Sequence, residues 1–407
     1  MDVYPILAAM RRNKVGAILI AAQIAVTLAI LCNALFLIEQ RIALSKRPTG
    51  ADEADVFVID NGWVGQPTDL EARIDGDLAA LRSLPGVVDA YVTNSYPLSD
   101  GGSTEGVGTD LDPNRALTLA ALYFAGPQGI PTLGLKLIAG RNFTPSEVVS
   151  MNDYSVPKAP VVIITRQLAD KLYPQGDALG KPMSMQFTKG MSTIVGIVDR
   201  LQVPWVSANG WGSKFNDNSV LVPFKLVWHG GHYVVRARPG QLAAMMRAGE
   251  DKLFAISRAR VIDQVRSLPQ ARADIYRDDR GLAVILGVVC TALLTVTSFG
   301  IVGLTSYWVA QRRKQIGIRR ALGATRNGVV RYFQTENLLI ATTGAIVGGG
   351  LAIALNLWMV MSFEMPRLQF GYVIAGALVV VVLGQAAVFW PALRAASVPP
   401  ALATRAA

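Results

Sequence analysis

The sequence predicts an integral membrane protein with four transmembrane α-helices and a large extracytoplasmic α+β domain inserted between helices 1 and 2. Three observations lead to this fold class. Of the 407 residues, 51% are hydrophobic and only 17% are charged, a balance that favours a membrane protein. Four apolar runs reach the ~20 residues that a transmembrane helix needs. Between the first two runs lie about 240 residues, enough for a domain with its own core.

The four predicted spans cover residues 15–38, 281–311, 334–361 and 370–391, and each is rich in Ala, Val, Leu, Ile and Gly. None has a charged residue in its middle, which argues against an ion path or a proton relay. The first run follows a basic cluster, as in a signal peptide. It is longer than the roughly 7–15 apolar residues of a cleaved signal, so we expect an uncleaved anchor.

The basic residues predict the orientation, because short loops rich in Lys and Arg stay in the cytoplasm. Twelve basic residues lie at the two termini and in the loop 312–333, with Asp2 and Glu336 as the acids among them. These segments account for the whole net charge of +10. We therefore expect both termini and the loop in the cytoplasm and segment 39–280 outside. The charge gives no support for nucleic-acid binding.

The remaining short segments are assigned from their neighbours. Residues 1–14 predict either a helix lying on the inner leaflet or a plain basic flank, and both interpretations stay open. Residues 362–369 predict a short periplasmic loop, and 392–407 a cytoplasmic tail. Cys32 and Cys290 both fall in predicted spans. The outer domain therefore has no disulfide and depends on its hydrophobic core.

The outer segment mixes strand and helix patterns. Amphipathic spacing predicts helices at 69–86 and 165–174. A further helical pattern at 240–281 predicts a stalk that leads into the second span. Short β-branched runs predict six strands, at 54–60, 87–93, 160–165, 192–199, 219–224 and 232–238.

Few motifs suggest chemistry. Gly180 and Lys181 are followed by Pro182, and no GxxxxGK[ST] motif occurs, so we expect no P-loop for ATP. The segment WHGGHYV brings His229 and His232 close in sequence without a third metal ligand beside them. A hairpin turn at Gly230 and Gly231 explains this segment better than a metal site. No GxSxG motif points to a hydrolase.

Two further patterns involve the third span. Gly344 and Gly348 have the spacing that allows two membrane helices to approach closely, although glycine is common in spans. Before that span, Gly323 is suited to end a short helix and Thr325 to cap the next one. A DNA-binding helix-turn-helix is disfavoured because both ends are tethered to lipid.

The arginines of the 312–333 loop fit anionic headgroups, at ~1 kcal/mol each near the surface. Headgroups do not explain the apolar positions Ile316, Ile318 and Leu322 between those arginines. A protein partner would explain both kinds of residue. We therefore expect a cytoplasmic coupling loop that contacts membrane lipid and a protein.

These residues carry a family resemblance. The segment RRKQIGIRRALGATRNGVVRYFQTENLLIATTGAIVGGGLA resembles the FtsX-like permease domain of MacB-type ABC transporters. The segments LKLIAGRNFTPSE, PVVIITRQLADKLYPQGDALGKPM and TIVGIVD resemble the MacB-like periplasmic core domain, and MRRNKVGAILIAAQIAVTLAI resembles its N-terminal anchor. The similarity extends over nearly the whole chain in the family's order.

The resemblance implies a non-catalytic permease subunit in a bacterial inner membrane. We expect no nucleotide-binding domain fused to this chain, so ATP and Mg would be bound by a separate ABC ATPase subunit. Further implied partners are a second permease subunit, in a homo- or heterodimer, and a periplasmic adaptor with an outer-membrane channel. Implied substrates are drugs, peptides, toxins or lipoproteins outside the cytoplasm.

The resemblance also implies which residues couple the chain to the ATPase. Gln315 departs from the pattern, because the family usually has Glu there. No catalytic, cofactor-binding or metal-binding residue is implied in this chain. The implied coupling residues are Arg312, Arg313, Gln315, Ile316, Gly317, Ile318, Arg319, Arg320, Ala321, Leu322, Gly323 and Ala324.

Two other functions stay open at this point. One is an FtsX-like regulatory protein that activates a periplasmic partner such as a cell-wall hydrolase. The other is a membrane-bound enzyme, which predicts activity in the isolated segment 40–280.

Overall fold

The computed structural model describes residues 14–65, 67–110, 116–152, 157–186, 188, 190–206, 215–321, 323–363 and 365–397. The chain divides into two compact units. The helical unit comprises Met1–Ala43 and Asp279–Ala407, and the inserted unit comprises Leu44–Asp278. The helix predicted at 1–14 lies, except for Lys14, outside the described residues, as do residues 398–407 of the predicted tail.

The elements are numbered along the chain. The helices are α1 Lys14–Ser45, α2 Leu70–Arg82, α3 Gly129–Leu133, α4 Arg166–Leu172, α5 Leu242–Ile256, α6 Leu268–Ile275, α7 Arg277–Gln311, α8 Arg313–Ala321, α9 Arg326–Phe363 and α10 Phe370–Ala396. The strands are β1 Val56–Trp63, β2 Val87–Thr93, β3 Ser103–Gly108, β4 Thr118–Phe124, β5 Leu137–Gly140, β6 Val149–Met151, β7 Val161–Thr165, β8 Pro182–Met185, β9 Gly190–Val198, β10 Ser219–Val222, β11 Phe224–Leu226, β12 Gly230–Ala237 and β13 Arg260–Ser267.

Four of the described helices, α1, α7, α9 and α10, are long and apolar enough to cross a membrane. The four helices predicted from the apolar runs are therefore present. Their ends extend beyond those runs, because helical hydrogen bonding continues into polar sequence. In particular, α9 begins at Arg326 and includes Glu336, which is buried with only 3% of its surface exposed.

Two glycines of α9 allow this helix to lie close to α1. A Cβ on Gly344 would lie 2.8 Å from the carbonyl oxygen of Ala21, and one on Gly348 would lie 2.7 Å from that of Ala25. Since these neighbours are backbone atoms, no side chain fits without separating the helices. The close contact predicted from the glycine spacing is confirmed.

Polar side chains also join the apolar helices. The hydroxyls of Thr27 in α1 and Thr297 in α7 lie 2.8 Å apart. Asn33 of α1 donates from Nδ2 to the carbonyl of Ala352 in α9, at 3.1 Å. Such bonds favour one arrangement of the helices, because apolar contacts alone do not distinguish protein from lipid tails.

The inserted unit contains a four-stranded antiparallel sheet with the order β13-β1-β12-β2. Its strand β1 is buried on both faces. Phe57 and Ile59 pack in one core with α2, and Val56 and Val58 pack in a second core with β4 and β10. This explains why the first four residues of β1, 56–59, are all apolar instead of alternating with polar residues.

A second sheet has the order β5-β9-β7-β10-β4-β3-β8, and β8 also pairs with β9. Six of its strands therefore close into a ring that mixes parallel and antiparallel pairs. Strands β6 and β11 form a separate parallel pair. The inserted unit is thus an α+β fold, with more strands than the sequence predicted.

The helical stalk predicted at 240–281 is wrong. Strand β13 interrupts it between α5 and α6, and α7 begins only at Arg277. The strand forms because β13 pairs with β1 along its length. Ser267 then starts α6 with a capping box, in which its hydroxyl accepts from the Gln270 amide at 3.3 Å and its amide donates to Gln270 Oε1 at 2.9 Å.

Arg260 anchors the start of β13 through a buried ion pair with Asp77 of α2. Both side chains are fully buried, and two bonds of 2.8 Å join Arg260 Nη1 and Nη2 to the carboxylate oxygens. Tyr233 of β12 donates a further hydrogen bond to Asp77, at 2.8 Å. The guanidinium also stacks on Trp63, 4.4 Å from the ring centroid. These contacts join α2, β1, β12 and β13.

The hairpin turn predicted at Gly230 and Gly231 is also wrong. Both glycines belong to β12 and pair with Gly62 and Asn61 of β1. Strand β11, which precedes them, pairs with β6 instead. A glycine pair favours a turn only when the flanking strands pair with each other, and here they do not.

Candidate coupling surface

The predicted coupling loop contains a short helix, α8, which is joined to α7 by one residue, and the first eight residues of α9. Arg312 lies at this junction. Its amide donates to the carbonyl of Trp308 at 3.0 Å, and its own carbonyl accepts from Ile316 at 2.9 Å. Both bonds span four residues, as in an α-helix, so α8 continues the hydrogen-bonding pattern of α7.

The side chain of Arg312 attaches this junction to α9. Its Nη1 donates to both carboxylate oxygens of Glu336, at 2.9 and 3.1 Å. Both side chains are largely buried, with 14% and 4% of their surfaces exposed. Removal of either partner would leave a buried charge unpaired. This would destabilise the folded state far more than the loss of an exposed ion pair.

The inward face of α8 packs within the helical unit. Ile316 is buried in the same core as Val329, Val330 and Phe333 of α9. Gly317 is buried beside it, and Arg320 is half-buried. The side chain of Ile316 thus completes the unit's own core. Its part in coupling stays a prediction.

The outward face of α8 is exposed and basic. We call the residues Arg313, Lys314, Gln315, Ile318 and Ala321 the coupling face, because all five are exposed. Ile318 has 46% of its surface exposed, unlike the buried Ile316. An exposed isoleucine beside two cations is suited to a partner with an apolar pocket and acidic neighbours. Leu322 and the side chain of Arg319 lie outside the described part of the chain.

In the turn after α8, Gly323 follows the end of that helix and Thr325 caps the start of α9, as the sequence predicted. Gly323 has a φ of +97°, which favours glycine, and its amide donates to the carbonyl of Arg320 at 3.1 Å. The hydroxyl of Thr325 accepts from the Gly328 amide at 3.1 Å, capping α9. Gly323 and Ala324 are exposed beside the coupling face. The predicted ends of the two helices are confirmed.

Chain continuity connects α8 to the inserted unit. Helix α7 has 35 residues, about 52 Å at 1.5 Å per residue. At its other end it follows α6 and β13, and β13 pairs with β1, which follows α1 along the chain. The two helices that border the inserted unit thus lead to neighbouring strands of one sheet.

Within the inserted unit, Arg272 of α6 ties the segment after α1 to the segment before α7. Its guanidinium contacts both carboxylate oxygens of Glu53, at 2.6 and 2.7 Å, and donates to the carbonyl of Ser45 at 2.8 Å. Burial opposes ionisation of Glu53, but the hydrogen bonds and charge of Arg272, together with Thr49, outweigh it and lower the pKa of the carboxyl.

The two histidines, which the sequence disfavoured as metal ligands, lie at the start of β12 and in the segment before it. Nδ1 of His232 lies 2.6 Å from Asp60 Oδ1, a carboxylate that is distant in sequence. Among the described residues, no group of three His, Cys, Asp or Glu side chains is placed to hold a metal ion.

Two family models match the chain. The model of the MacB-like periplasmic core domain matches residues 18–251, more than half of the chain. The model of the FtsX-like permease C-terminal domain matches residues 287–400, which include α8. The chain belongs to the MacB-type, FtsX-like family of ABC transporter permeases.

Individual relatives agree with this family. The macrolide export ATP-binding/permease protein MacB of Neisseria gonorrhoeae is 27% identical over 329 residues, which are 76% of this chain and 46% of the relative. The chain thus spans about half the length of the curated MacB relatives that it matches. The uncharacterized ABC transporter permease YvrN of Bacillus subtilis is 25% identical over 370 residues, 84% of this chain and 85% of YvrN.

Two solved structures are similar to parts of the chain. The periplasmic region of MacB from Actinobacillus actinomycetemcomitans is 16% identical, with a TM-score of 0.36, and the match covers 57% of this chain and 97% of that one. The extracellular domain of the transporter YknZ from Gram-positive bacteria is 15% identical, with a TM-score of 0.30. The match covers 51% of this chain and 100% of that one.

Proposed function

We propose that the chain is the permease subunit of a MacB-type ABC transporter, and that a separate ATPase subunit docks on the coupling face of α8. The observation that carries this proposal is the division of α8 into two faces. Arg312 and Ile316 attach the inward side to α9, while Arg313, Lys314 and Ile318 are exposed. ATP and Mg would bind to the partner.

The proposed orientation follows from charge. The basic residues of α8 and of the two termini would stay in the cytoplasm of the inner membrane, with the inserted unit in the periplasm. The match of the inserted unit to a periplasmic core domain supports this orientation. It brings the coupling face to the side of the membrane where ATP is available.

The proposed mechanism is mechanical. Closure of the ATPase would displace α8, and α9 would follow because of the Arg312–Glu336 pair. Helix α7 continues from α8 with helical hydrogen bonds, so it would carry the displacement towards α6 and β13. The bonds of Arg272 to Glu53 and Ser45 would then move the start of the sheet as one piece.

The substrate class rests on the family. We propose a substrate already outside the cytoplasm or in the outer leaflet, such as a drug, peptide, toxin or lipoprotein. A second permease subunit, and a periplasmic adaptor with an outer-membrane channel, would complete the transporter. The names of the MacB relatives describe export, which favours export over activation of a cell-wall hydrolase.

Co-purification tests the docking site. The full chain in lipid nanodiscs is mixed with a candidate MacB-type ATPase subunit from the same organism, and the affinity is measured. We expect Arg313→Glu with Lys314→Glu to weaken binding at least about tenfold. Arg394→Glu reverses an exposed cation outside the 312–333 segment, on α10, and serves as the control. Equal binding by the two variants would refute docking on this face.

A further inference from the structure

The side chain of Gln385, on α10, lies against the backbone of α9. Its amide nitrogen is 3.3 Å from the carbonyl oxygen of Gln334, and its amide oxygen is 3.2 Å from the backbone nitrogen of Leu338. The same oxygen is 3.2 Å from Nδ2 of Asn337. The amide is assigned in this orientation because each donor then meets an acceptor. Gln385 therefore bonds to two backbone groups of another helix.

In an α-helix, these two backbone groups are each other's partners. The amide of residue 338 donates to the carbonyl of residue 334, four positions earlier, and α9 is helical through both residues. The Leu338 N–H is a single donor, and it faces two acceptors, the Gln334 carbonyl of its own helix and the amide oxygen of Gln385. We call residues 334–338 the shared turn. One helical hydrogen bond of α9 is weakened there by sharing.

The Gln385 amide changes what it costs to open α9 at the shared turn. Opening a helical hydrogen bond within a membrane ordinarily leaves an N–H and a C=O without partners, because lipid tails offer none. At the shared turn, Gln385 provides an acceptor for the N–H and a donor for the C=O. A side chain inserted into the i→i−4 pattern is one of the established causes of helix bending. The shared turn is therefore the place where α9 bends at low cost.

The shared turn lies between two attachments of α9. Glu336, within the turn, pairs with Arg312 at the start of α8. Gly344 and Gly348, which follow the turn, lie against the backbone of α1. The segment of α9 attached to α8 and the segment packed on α1 are thus joined at the turn that α10 supports.

We propose that Gln385 is a positioning residue for coupling and that its amide makes residues 334–338 a hinge. The segment of α9 attached to α8 turns about this hinge, while the segment packed on α1 stays in place. In the open turn, the Leu338 N–H donates to Gln385, and Gln385 donates to the Gln334 carbonyl. The role in coupling rests on the proposed function, but the hinge belongs to this chain alone and is measured without an ATPase.

Pulsed electron paramagnetic resonance of the full chain in nanodiscs tests the hinge. Spin labels on Arg326→Cys and Val26→Cys, both exposed in the native chain, report the distance between the start of α9 and α1. We expect two populations of distance, from straight and bent α9. Gln385→Leu removes the partner from α10, so the bent population should fall about tenfold or more. Gln385→Met, of similar length and also apolar, should give the same loss.

Gln23→Leu is the matched control, because Gln23 of α1 also bonds to another helix but only donates to one carbonyl, that of Val296 in α7, at 3.2 Å. Both populations should persist in this variant. Circular dichroism checks that each variant retains its helices. A single population in the chain with native Gln385, or an unchanged bent population in folded Gln385→Leu, would overturn the hinge.

ATP turnover of a bound ATPase subunit tests the role of the hinge in coupling. Gln385→Leu should bind the ATPase with unchanged affinity and stimulate its turnover less than the unmodified chain does. Full stimulation in a variant that has lost the bent population would overturn the positioning role. Failure of the unmodified chain to bind the ATPase would instead refute the proposed function, and the distance measurement would still decide whether the hinge exists.

Discussion

Arg312 and Glu336 form a largely buried ion pair that joins the beginning of the coupling helix to α9, with Nη1 2.9 Å from one carboxylate oxygen and 3.1 Å from the other. The two residues are 24 positions apart, on either side of α8. An ion pair in this place makes α8 part of the helical unit rather than a flexible loop. It leaves the opposite side of the helix available to a partner.

Glu336→Gln should separate docking from coupling. The coupling face is untouched, so we expect the ATPase subunit to bind as before. Arg312 would lose its counter-charge, and the attachment of α8 to α9 would weaken by about 1–3 kcal/mol. The measurement compares the affinity for the ATPase with the stimulation of its ATP turnover by the chain in nanodiscs.

Glu39→Gln, an exposed change on α1, is the control for this measurement. Stimulation should fall in Glu336→Gln and stay normal in the control. If stimulation in Glu336→Gln equals that of the unmodified chain, the ion pair has no part in transmitting motion.

Gly348→Leu should destabilise the helical unit. Its Cβ would lie 2.7 Å from the carbonyl oxygen of Ala25 and 2.8 Å from its Cα, so α1 and α9 must separate. Overpacking of this kind costs about 1–3 kcal/mol or more. Gly350→Leu changes a glycine two positions away, with nothing within 4 Å, and should be tolerated. The free energy of unfolding of each variant is measured in mixed micelles. Equal free energies for Gly348→Leu and Gly350→Leu would contradict the close packing of α1 and α9.

Asp77→Ala should destabilise the inserted unit by about 3–5 kcal/mol, because Arg260 would remain buried without its partner. Asp75→Ala, on the same helix, removes an acid whose side chain is 59% exposed, and should cost no more than about 1 kcal/mol. Chemical unfolding followed by tryptophan fluorescence distinguishes the two. Similar losses in both variants would show that the buried pair contributes little.

The Glu53–Arg272 pair predicts a pH dependence. The folded state lowers the pKa of Glu53 below the ordinary value of 4.5, so the carboxylate stabilises the fold above that value. This stabilisation is lost as the pH falls through the lowered pKa. Glu53→Gln should therefore reduce the melting temperature at pH 7, and by a smaller amount at pH values below the lowered pKa, where Glu53 is protonated in the unmodified chain too.

Asp263→Asn removes an exposed acid from β13 and is the control for the pH series. Its melting temperature should follow that of the unmodified chain at each pH. A deficit of Glu53→Gln that is the same at neutral and acidic pH would mean that charge is not the source of its contribution.

The sequence correctly predicted those elements whose formation depends mainly on residues close together in the chain. Strand β2 has the bounds expected from its β-branched residues, and Gly323 and Thr325 end and begin helices as expected. Strand β13 was missed because its sequence, RVIDQVRS, has a polar outer side and depends on β1 for pairing. Such a strand is determined by tertiary contacts, which periodicity does not contain.

The sequence placed the candidate coupling residues in one segment but did not predict how that segment divides into a buried and an exposed face. The sequence grouped Ile316 with Ile318, since both are apolar residues among arginines. Only the folded chain shows that Ile316 packs against α9 while Ile318 is exposed. Likewise, the partners of Arg312 and Arg272 are 24 and 219 positions away. No local signal identifies such pairs.

Site-directed cross-linking tests the docking of an ATPase on α8 most directly. A benzophenone maleimide is attached to Ile318→Cys in one variant and to Val261→Cys in another, at positions 46% and 55% exposed in the native chain. The natural thiols of Cys32 and Cys290 are buried, so the introduced thiol reacts first. We predict an adduct with the ATPase subunit from position 318 and none from position 261 on β13. No adduct from 318, or equal adducts from both, would contradict the proposed coupling face.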